Sequence, residues 1–165
     1  MQLTRAAFEA SCSSALPGIP TLPAPVIAKI ARFEWEIPRL EQETKVYKFL
    51  AYSGLAPAFL GHIHENGRVL GLLLRKEEGR FASIEDLSNC EAALRKLHQL
   101  GLRHGDINRY NFLVRENGVT LIDFEHTMEE ADPEVIKKEL DGLRAELTED
   151  TGRGGGFMKE VEAEA

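Results

Sequence analysis

The sequence predicts an α+β fold in which a small antiparallel sheet precedes a mostly helical part. Two tight turns, Glu65-Asn66-Gly67 and Glu116-Asn117-Gly118, each separate two apolar runs of strand length. Asn-Gly between such runs is a β-hairpin signal. Three longer segments instead repeat apolar residues at the period of an amphipathic helix. Hairpins and separate amphipathic helices together indicate the α+β class.

Length and composition point to one globular domain. The 165 residues are 43% hydrophobic and 28% charged, which is typical of a folded protein with a core. The net charge of −7 and the scattered Lys and Arg residues argue against a nucleic-acid partner. Cys12 and Cys90 lie far apart, and neither a secretory signal nor an apolar run of membrane-spanning length is visible. We therefore expect reduced thiols, no membrane segment and a cytoplasmic location.

Three regions are expected along the chain. Residues 1–25 are rich in Ser and Pro and are predicted to form an irregular N-terminal arm rather than a strand pair. Residues 26–150 are predicted to form a single domain. Residues 151–165 begin with a glycine run and end in Glu and Ala, so they are predicted to be a flexible acidic tail.

A lysine-bearing strand precedes the first predicted helix. Val26-Ile27-Ala28-Lys29-Ile30 is an apolar, β-rich run, and the helix is expected over residues 39–52. Glu43 falls on the apolar face of that helix, where a carboxylate needs a cation partner. Lys29 is the predicted partner. The alternatives are a lysine that points to solvent and a glutamate that reaches water at the edge of the apolar face.

Two further helices are predicted from caps as well as from periodicity. Ser83 and Asp86 resemble a capping box at the start of a helix that stops at Gly101. The apolar stripe of that helix contains Cys90, which we therefore expect to be a buried, unreactive thiol. Asp132 followed by proline predicts the start of the last helix.

The stretch from His104 to Glu125 carries the candidate chemistry. It is predicted to be a loop with Asp106 and Asn111, then a hairpin whose second strand ends at Asp123. Because the chain goes out along one strand and returns along the other, Asn111 and Asp123 finish at the same end of the hairpin. An amide oxygen and carboxylates are hard ligands that Mg²⁺ accepts, and one carboxylate is left over as a base.

This spacing resembles the protein-kinase-like superfamily, in which H-x-D-x-x-x-x-N precedes a hairpin that ends in Asp-Phe. The matching residues are His104, Asp106, Asn111, Asp123 and Phe124. The resemblance covers about residues 26–147.

Two departures from ordinary protein kinases narrow the resemblance. Gly105 stands where those kinases have Arg, and Glu125 follows Asp-Phe in place of Gly. These features are similar to aminoglycoside phosphotransferases, choline kinases and RIO-type atypical kinases. The longer string LHQLGLRHGDINRYNFLV is similar to small fungal kinase-like proteins.

The resemblance implies a reduced protein-kinase-like fold, with residues 26–76 as the remnant of a sheet lobe and residues 77–150 as a short helical lobe. It implies ATP and Mg²⁺ as cofactors. The implied roles are Asp106 as the catalytic base, Asn111 and Asp123 as metal ligands, and Lys29 and Glu43 as nucleotide-binding residues.

Two other residues of this stretch have less defined roles. We expect His104 to be a scaffold whose ring hydrogen-bonds the loop backbone. Glu125 remains open between a carboxylate beside the metal and an exposed residue.

The function stays open between classes. The first is an ATP- and Mg²⁺-dependent phosphotransferase that acts on an unidentified hydroxyl acceptor, either a small molecule or a protein. The second is a pseudokinase or nucleotide-binding interaction module, and the third is a component that needs a protein partner to complete its fold. Retention of Asp106 favours the first class. The second is favoured because only Gly18 precedes Lys29, so the usual glycine-rich nucleotide lid is missing or replaced.

Overall fold

The computed structural model describes residues 7–11 and 25–154. Within these ranges the helices are α1 (Ile37–Phe49), α2 (Leu87–Gln99) and α3 (Pro133–Thr148), with short 3₁₀ turns at Glu34–Glu36, Ile84–Asp86 and Arg109–Asn111. The strands are β1 (Ala7–Ala10), β2 (Val26–Ile30), β3 (Phe59–Glu65), β4 (Arg68–Arg75), β5 (Arg80–Phe81), β6 (Leu102–Arg103), β7 (Phe112–Arg115), β8 (Gly118–Leu121) and β9 (Met128–Glu129). Antiparallel sheets and separate helices confirm the predicted α+β class with a reduced kinase-like arrangement.

The first half of the domain is a four-stranded antiparallel sheet in the order β1-β2-β4-β3. Strands β3 and β4 form the hairpin that Asn66-Gly67 predicts. Strand β2 lies beside β4, with Lys29 opposite Leu72. Because Leu72 and Tyr47 of α1 belong to one buried cluster, the sheet and the helix carry Lys29 and the first-helix glutamate toward each other.

The prediction of an irregular arm over residues 1–25 is wrong for its first described part. Residues Ala7–Ala10 form β1, which pairs antiparallel with β2 and sets Ala7 opposite Lys29. The pairing satisfies backbone groups on the outer edge of β2 that would otherwise face solvent. The Ser- and Pro-rich composition begins after these residues, and the strand is formed by pairing with β2, which the local composition does not indicate. Residues 12–24, with Cys12 and Gly18, lie outside the described residues.

Helix α1 begins two residues before the predicted start and ends three residues before the predicted end. Its start differs because Pro38 lies in the first turn, where its missing N–H is harmless, rather than in front of the helix. Its end differs because Tyr52 has a left-handed φ of 67°, which is incompatible with a continuing helix.

The second half packs α2 and α3 against the β7–β8 hairpin. Cys90 and Leu94 of α2, Leu143 of α3 and Phe112 of β7 are all fully buried in one core. Burial raises the pKa of the Cys90 thiol to about 12, so the thiol stays protonated and unreactive at neutral pH, in line with the prediction. None of the helices within the described ranges combines the length and apolar character that crossing a bilayer requires.

The predicted helix starts are present, with one refinement. Asp132 accepts the backbone N–H of Glu134 at 2.9 Å and caps α3. Asp86 accepts the N–H of Ser83 at 2.9 Å, but it closes a 3₁₀ turn that precedes α2. Arg80 donates twice to the Asp86 carboxylate at 2.7 Å and lowers its pKa to about 2.

The predicted flexible tail also starts too early. Residues 151–154 turn back from the end of α3, and Arg153 donates to both carboxylate oxygens of Glu146 at 2.9 and 2.7 Å. This ion pair with a residue in the last turn of α3 holds the segment against the domain. Residues 155–165 lie outside the described part of the chain.

Candidate functional site

The β7–β8 hairpin brings Asn111 and Asp123 to one end of the sheet, as predicted. Phe112 lies opposite Leu121 in the ladder, and the N–H of Ile122 donates to the carbonyl oxygen of Asn111 at 3.0 Å. Asp123 follows with a φ of 64°, a left-handed conformation that is uncommon outside glycine. Such strained backbone concentrates at functional sites. Its side chain is 39% exposed and can therefore meet a ligand.

A buried lysine joins three distant parts of the sequence. The Nζ atom of Lys29 lies 2.6 Å from Oε1 of Glu43 and 2.8 Å from Oδ1 of Asp123. The side chains of Lys29 and Glu43 are only 13% and 2% exposed, which excludes the solvent-facing alternatives for both residues. The predicted Lys29–Glu43 ion pair is thus present, and the contact of Lys29 with Asp123 is a finding of the structure.

These contacts keep Lys29 and Asp123 charged. Burial alone would lower the pKa of Lys29, but Glu43 and Asp123 outweigh burial and raise that pKa above its ordinary value. Burial would raise the pKa of Asp123, and the ammonium of Lys29 reverses this effect and holds the pKa below its ordinary value. Lys29 is therefore a cation, and Asp123 an anion, at neutral pH.

Helix α1 also fixes the backbone around Asp123. Oε1 of Glu43 accepts the N–H of Phe124 at 3.3 Å, and the hydroxyl oxygen of Tyr47 accepts the N–H of Asp123 at 3.4 Å. The rings of Tyr47 and Phe124 meet edge to face at 5.0 Å. One turn of α1 therefore sets both the partner of Lys29 and the path of the chain past Asp123.

The catalytic-loop candidate Asp106 is held through one of its two carboxylate oxygens. Nδ2 of Asn111 donates to Oδ2 of Asp106 at 3.0 Å and to the Asp106 carbonyl at 2.8 Å. Nδ2 of Asn108 donates to the same Oδ2 at 3.0 Å. Within the described part of the chain, no hydrogen-bond partner is found for Oδ1 of Asp106 or for Oδ1 of Asn111. Asn108 is a residue that sequence reasoning missed, although Asn is a common helix cap.

The buried ring of His104 hydrogen-bonds the loop backbone, which confirms the expected scaffold geometry. Nδ1 accepts the N–H of Asp106 at 3.3 Å, and Nε2 donates to the carbonyl of Ile122 at 3.1 Å. Burial lowers the pKa of His104, although Glu139 opposes this effect. The neutral ring thereby ties the loop to the end of the hairpin.

A glycine is required before Asp106 for two reasons. Gly105 has a φ of 84°, which favours glycine. A Cβ atom there would lie 2.4 Å from the carbonyl oxygen of His126. The Arg of ordinary protein kinases therefore has no room at this position.

Helix α3 supplies a carboxylate that clamps the loop. Oε1 of Glu139 accepts the N–H of Gly105 at 2.7 Å, and Oε2 accepts the N–H of His104 at 3.1 Å. Nε2 of His98 lies 2.7 Å from the same Oε2. Sequence reasoning missed Glu139. The available signal was its position three residues after Ile136 and four before Leu143, on the apolar face of its helix.

Glu125 is half-buried beside the site. It lies 3.1 Å from Nε2 of His126 and 4.0 Å from Arg39, and it lines a small cavity together with Lys29 and Glu43. This placement favours a supporting carboxylate over a fully exposed residue.

The donor set fits a hard cation. No group of three or more His, Cys, Asp or Glu side chains in residues 7–11 and 25–154 is arranged to hold a metal ion. The predicted magnesium site differs from such a group because one of its two ligands, Asn111, is an amide. Its free Oδ1 and the exposed carboxylate of Asp123 are oxygen ligands of the kind Mg²⁺ uses, with water completing the shell.

The steric demand at Gly105 can be tested by adding one methyl group. We expect Gly105→Ala to lower the free energy of unfolding by about 2–4 kcal/mol, from overpacking against His126 and from the left-handed backbone. The control Gly101→Ala has a similar φ of 77° but no atom within 4 Å, and it should lose about 1 kcal/mol. Urea unfolding measures both, and equal losses would contradict the steric argument.

The buried carboxylate of α1 can be tested by an isosteric change. Glu43→Gln leaves Lys29 with one anionic partner, and we expect a loss of about 2–4 kcal/mol in the free energy of unfolding. Glu41→Gln is the matched control, since Glu41 lies in the same helix but is 63% exposed and, among the described residues, pairs only with Lys45. The control should unfold like the parent protein in urea. If Glu43→Gln had the same free energy of unfolding as the parent protein, Glu43 would not be needed to support the site.

The second half of the chain is similar to a known kinase family. Residues 76–154 match the model of the Lipopolysaccharide kinase (Kdo/WaaP) family, which lies in the protein-kinase-like superfamily. The matched part is just under half of the chain and contains the loop, the hairpin and α3. No curated protein matches the chain. The family differs from the narrower groups that the motifs resemble but shares their superfamily, and the match supports a kinase-like phosphotransferase with a reduced kinase-like fold.

Proposed function

We propose that this protein is an ATP- and Mg²⁺-dependent phosphotransferase that phosphorylates a hydroxyl group on a small molecule or a protein. The observation that carries the proposal is the contact of Lys29 with both Glu43 and Asp123. A lysine, a helix glutamate and the Asp of Asp-Phe are brought together from three separated segments. Placing Lys29 and Glu43 in the interior is unfavourable unless the pair serves a function, because removing charged groups from water is costly.

The nucleotide phosphates would bind in front of Lys29. Lys29 remains protonated and neutralises phosphate charge, while Glu43 keeps its ammonium group in place. Asp123 would exchange part of its contact with Lys29 for the metal ion, and Asn111 would add its free amide oxygen. The metal, when bound, supplies charge neutralisation for the transferred phosphoryl group.

Asp106 would act as the catalytic base. Its Oδ2 is occupied by two amide donors, so Oδ1 is the atom that can accept the proton of the acceptor hydroxyl. The acceptor oxygen then forms its bond to the γ-phosphorus as the bond to the leaving ADP breaks. The base and the metal ligands share one loop and one hairpin, which supports positioning as the main source of rate.

A second function, nucleotide binding without turnover, is favoured by one observation. The described residues before Lys29, 7–11 and 25–28, contain no glycine that could form a close-fitting lid over the phosphates. In this alternative the protein would bind nucleotide and act through a protein partner. We further propose that residues 26–76 and 77–150 are the two lobes of one cytoplasmic domain.

Nucleotide binding tests both functions together. The ATP–Mg²⁺ complex at 100 times its dissociation constant should stabilise the parent by about 2.7 kcal/mol, seen as a thermal shift. Asp123→Asn should abolish the Mg²⁺-dependent part of the shift, whereas Asp141→Asn, an exposed aspartate of α3, should keep it. No shift in a folded parent protein would overturn both functions.

Turnover distinguishes the two functions. Hydrolysis of [γ-³²P]ATP with Mg²⁺ uses water as the acceptor and needs no knowledge of the natural one. We expect slow release of phosphate by the parent and a fall of about 100-fold or more in Asp106→Asn, because the base is removed while ATP binding persists. Binding without any Asp106-dependent release would establish the second function instead.

A further inference from the structure

Asn108 is buried beside the candidate base without belonging to the predicted motif. Its side chain is only 7% exposed, although it lies in a loop. Nδ2 donates to Oδ2 of Asp106 at 3.0 Å, and Oδ1 accepts the N–H of Tyr110 at 3.0 Å. The second bond caps the 3₁₀ turn Arg109–Asn111 and fixes which way the amide faces. The amide group can therefore offer only its donor to Asp106.

The segment after α3 covers the other side of Asn108. A Cβ atom at Gly154 would lie 2.6 Å from Cγ of Asn108 and 2.8 Å from both its Nδ2 and its Oδ1. The backbone of Gly154 is thus in direct contact with the amide that holds Asp106. Gly154 also has a φ of 85°, so the position requires glycine for two independent reasons.

This covering segment is anchored rather than loosely attached. Arg153 donates to both carboxylate oxygens of Glu146 on α3, and the N–H of Thr151 donates to Oε1 of Glu149 at 2.8 Å. The anchors lie directly before Gly154 in the chain. They set the distance between the C-terminal segment and the catalytic loop.

We propose that Asn108 is a positioning residue that aims the free oxygen of Asp106 at the acceptor hydroxyl, and that Gly154 holds Asn108 in that orientation. This inference rests on the proposed phosphotransferase function. Asn108 and Asn111 together fix Oδ2 of Asp106, and rotation of the carboxylate about its bond to Cβ is thereby blocked. The C-terminal segment then belongs to the active site without touching substrate.

The first arm of the test is Asn108→Ser. A serine hydroxyl can still accept the N–H of Tyr110 and cap the turn, but it is too short to reach Asp106. We expect the kcat of ATP hydrolysis to fall about tenfold with the KM for ATP within twofold of the parent value. Asn89→Ser, an exposed asparagine of α2, is the matched control and should leave both constants unchanged.

The second arm is Gly154→Ala, whose methyl group would displace the Asn108 amide. The same loss in kcat is expected, while Gly67→Ala should keep the parent kcat because its φ of 79° is similar and no atom lies within 4 Å. In Asn108→Ser/Gly154→Ala the second change should have little further effect on kcat, since the side chain it displaces is already shortened.

A readout independent of activity separates this inference from the proposed function. In protein without nucleotide, the ¹³Cγ resonance of Asp106 should move in both single variants and stay in place in Asn89→Ser and Gly67→Ala. An unmoved resonance in Asn108→Ser and Gly154→Ala overturns the inference, as does parent-like kcat in both variants of an active parent. A moved resonance with no hydrolysis by the parent supports the orientation of Asp106 and counts against phosphotransfer.

Discussion

The ion-pair contact of Lys29 with Glu43 and Asp123 is the constraint on which the rest of the site depends. Three charges lie in or at the edge of the interior, and each is tolerable only because the others are present. The side chain of Lys29 must therefore reach from β2 to α1, and the β7–β8 hairpin must end at the same point. The packing of Tyr47 on Phe124 and the backbone contacts around Asp123 follow from this requirement.

A second set of contacts ties the loop that carries Asp106 to the helical half. Glu139 of α3 receives two backbone N–H groups of the loop and pairs with His98, while the His104 ring spans the loop and the hairpin. These groups do not need to touch a substrate to matter. They hold the loop through its backbone. The side-chain oxygen atoms of the loop that these contacts leave unbonded are those that a phosphoryl-transfer reaction would use.

Whether a feature could be predicted depends on how far apart in the sequence the residues that form it lie. The hairpin could be predicted because its turn is encoded by adjacent residues. The ion pair of Glu43 could be predicted because a carboxylate on an apolar helix face needs a cation partner. The contact of Lys29 with Asp123 could not be predicted in this way. The two residues are 94 positions apart and are brought together by strand pairing in two separate sheets. Strand β1 and the ion pair of Arg153 with Glu146 likewise depend on partners that a local sequence pattern does not indicate. The buried contacts of Glu139 could have been predicted by the same argument as those of Glu43, because Glu139 also lies on the apolar face of its helix.

The shared core has a consequence for how ligands could enter. Leu72 of the sheet, Leu50 of α1, Leu94 of α2 and Leu143 of α3 belong to one buried cluster that crosses the junction of the two halves. Two bodies with separate cores can swing apart on a hinge, but halves that share a core cannot do so without exposing it to water. We therefore expect the two halves to behave as a single cooperative unit. Ligand exchange would then occur across the open face beside Asp123, by side-chain and loop motion rather than by opening and closing of a cleft.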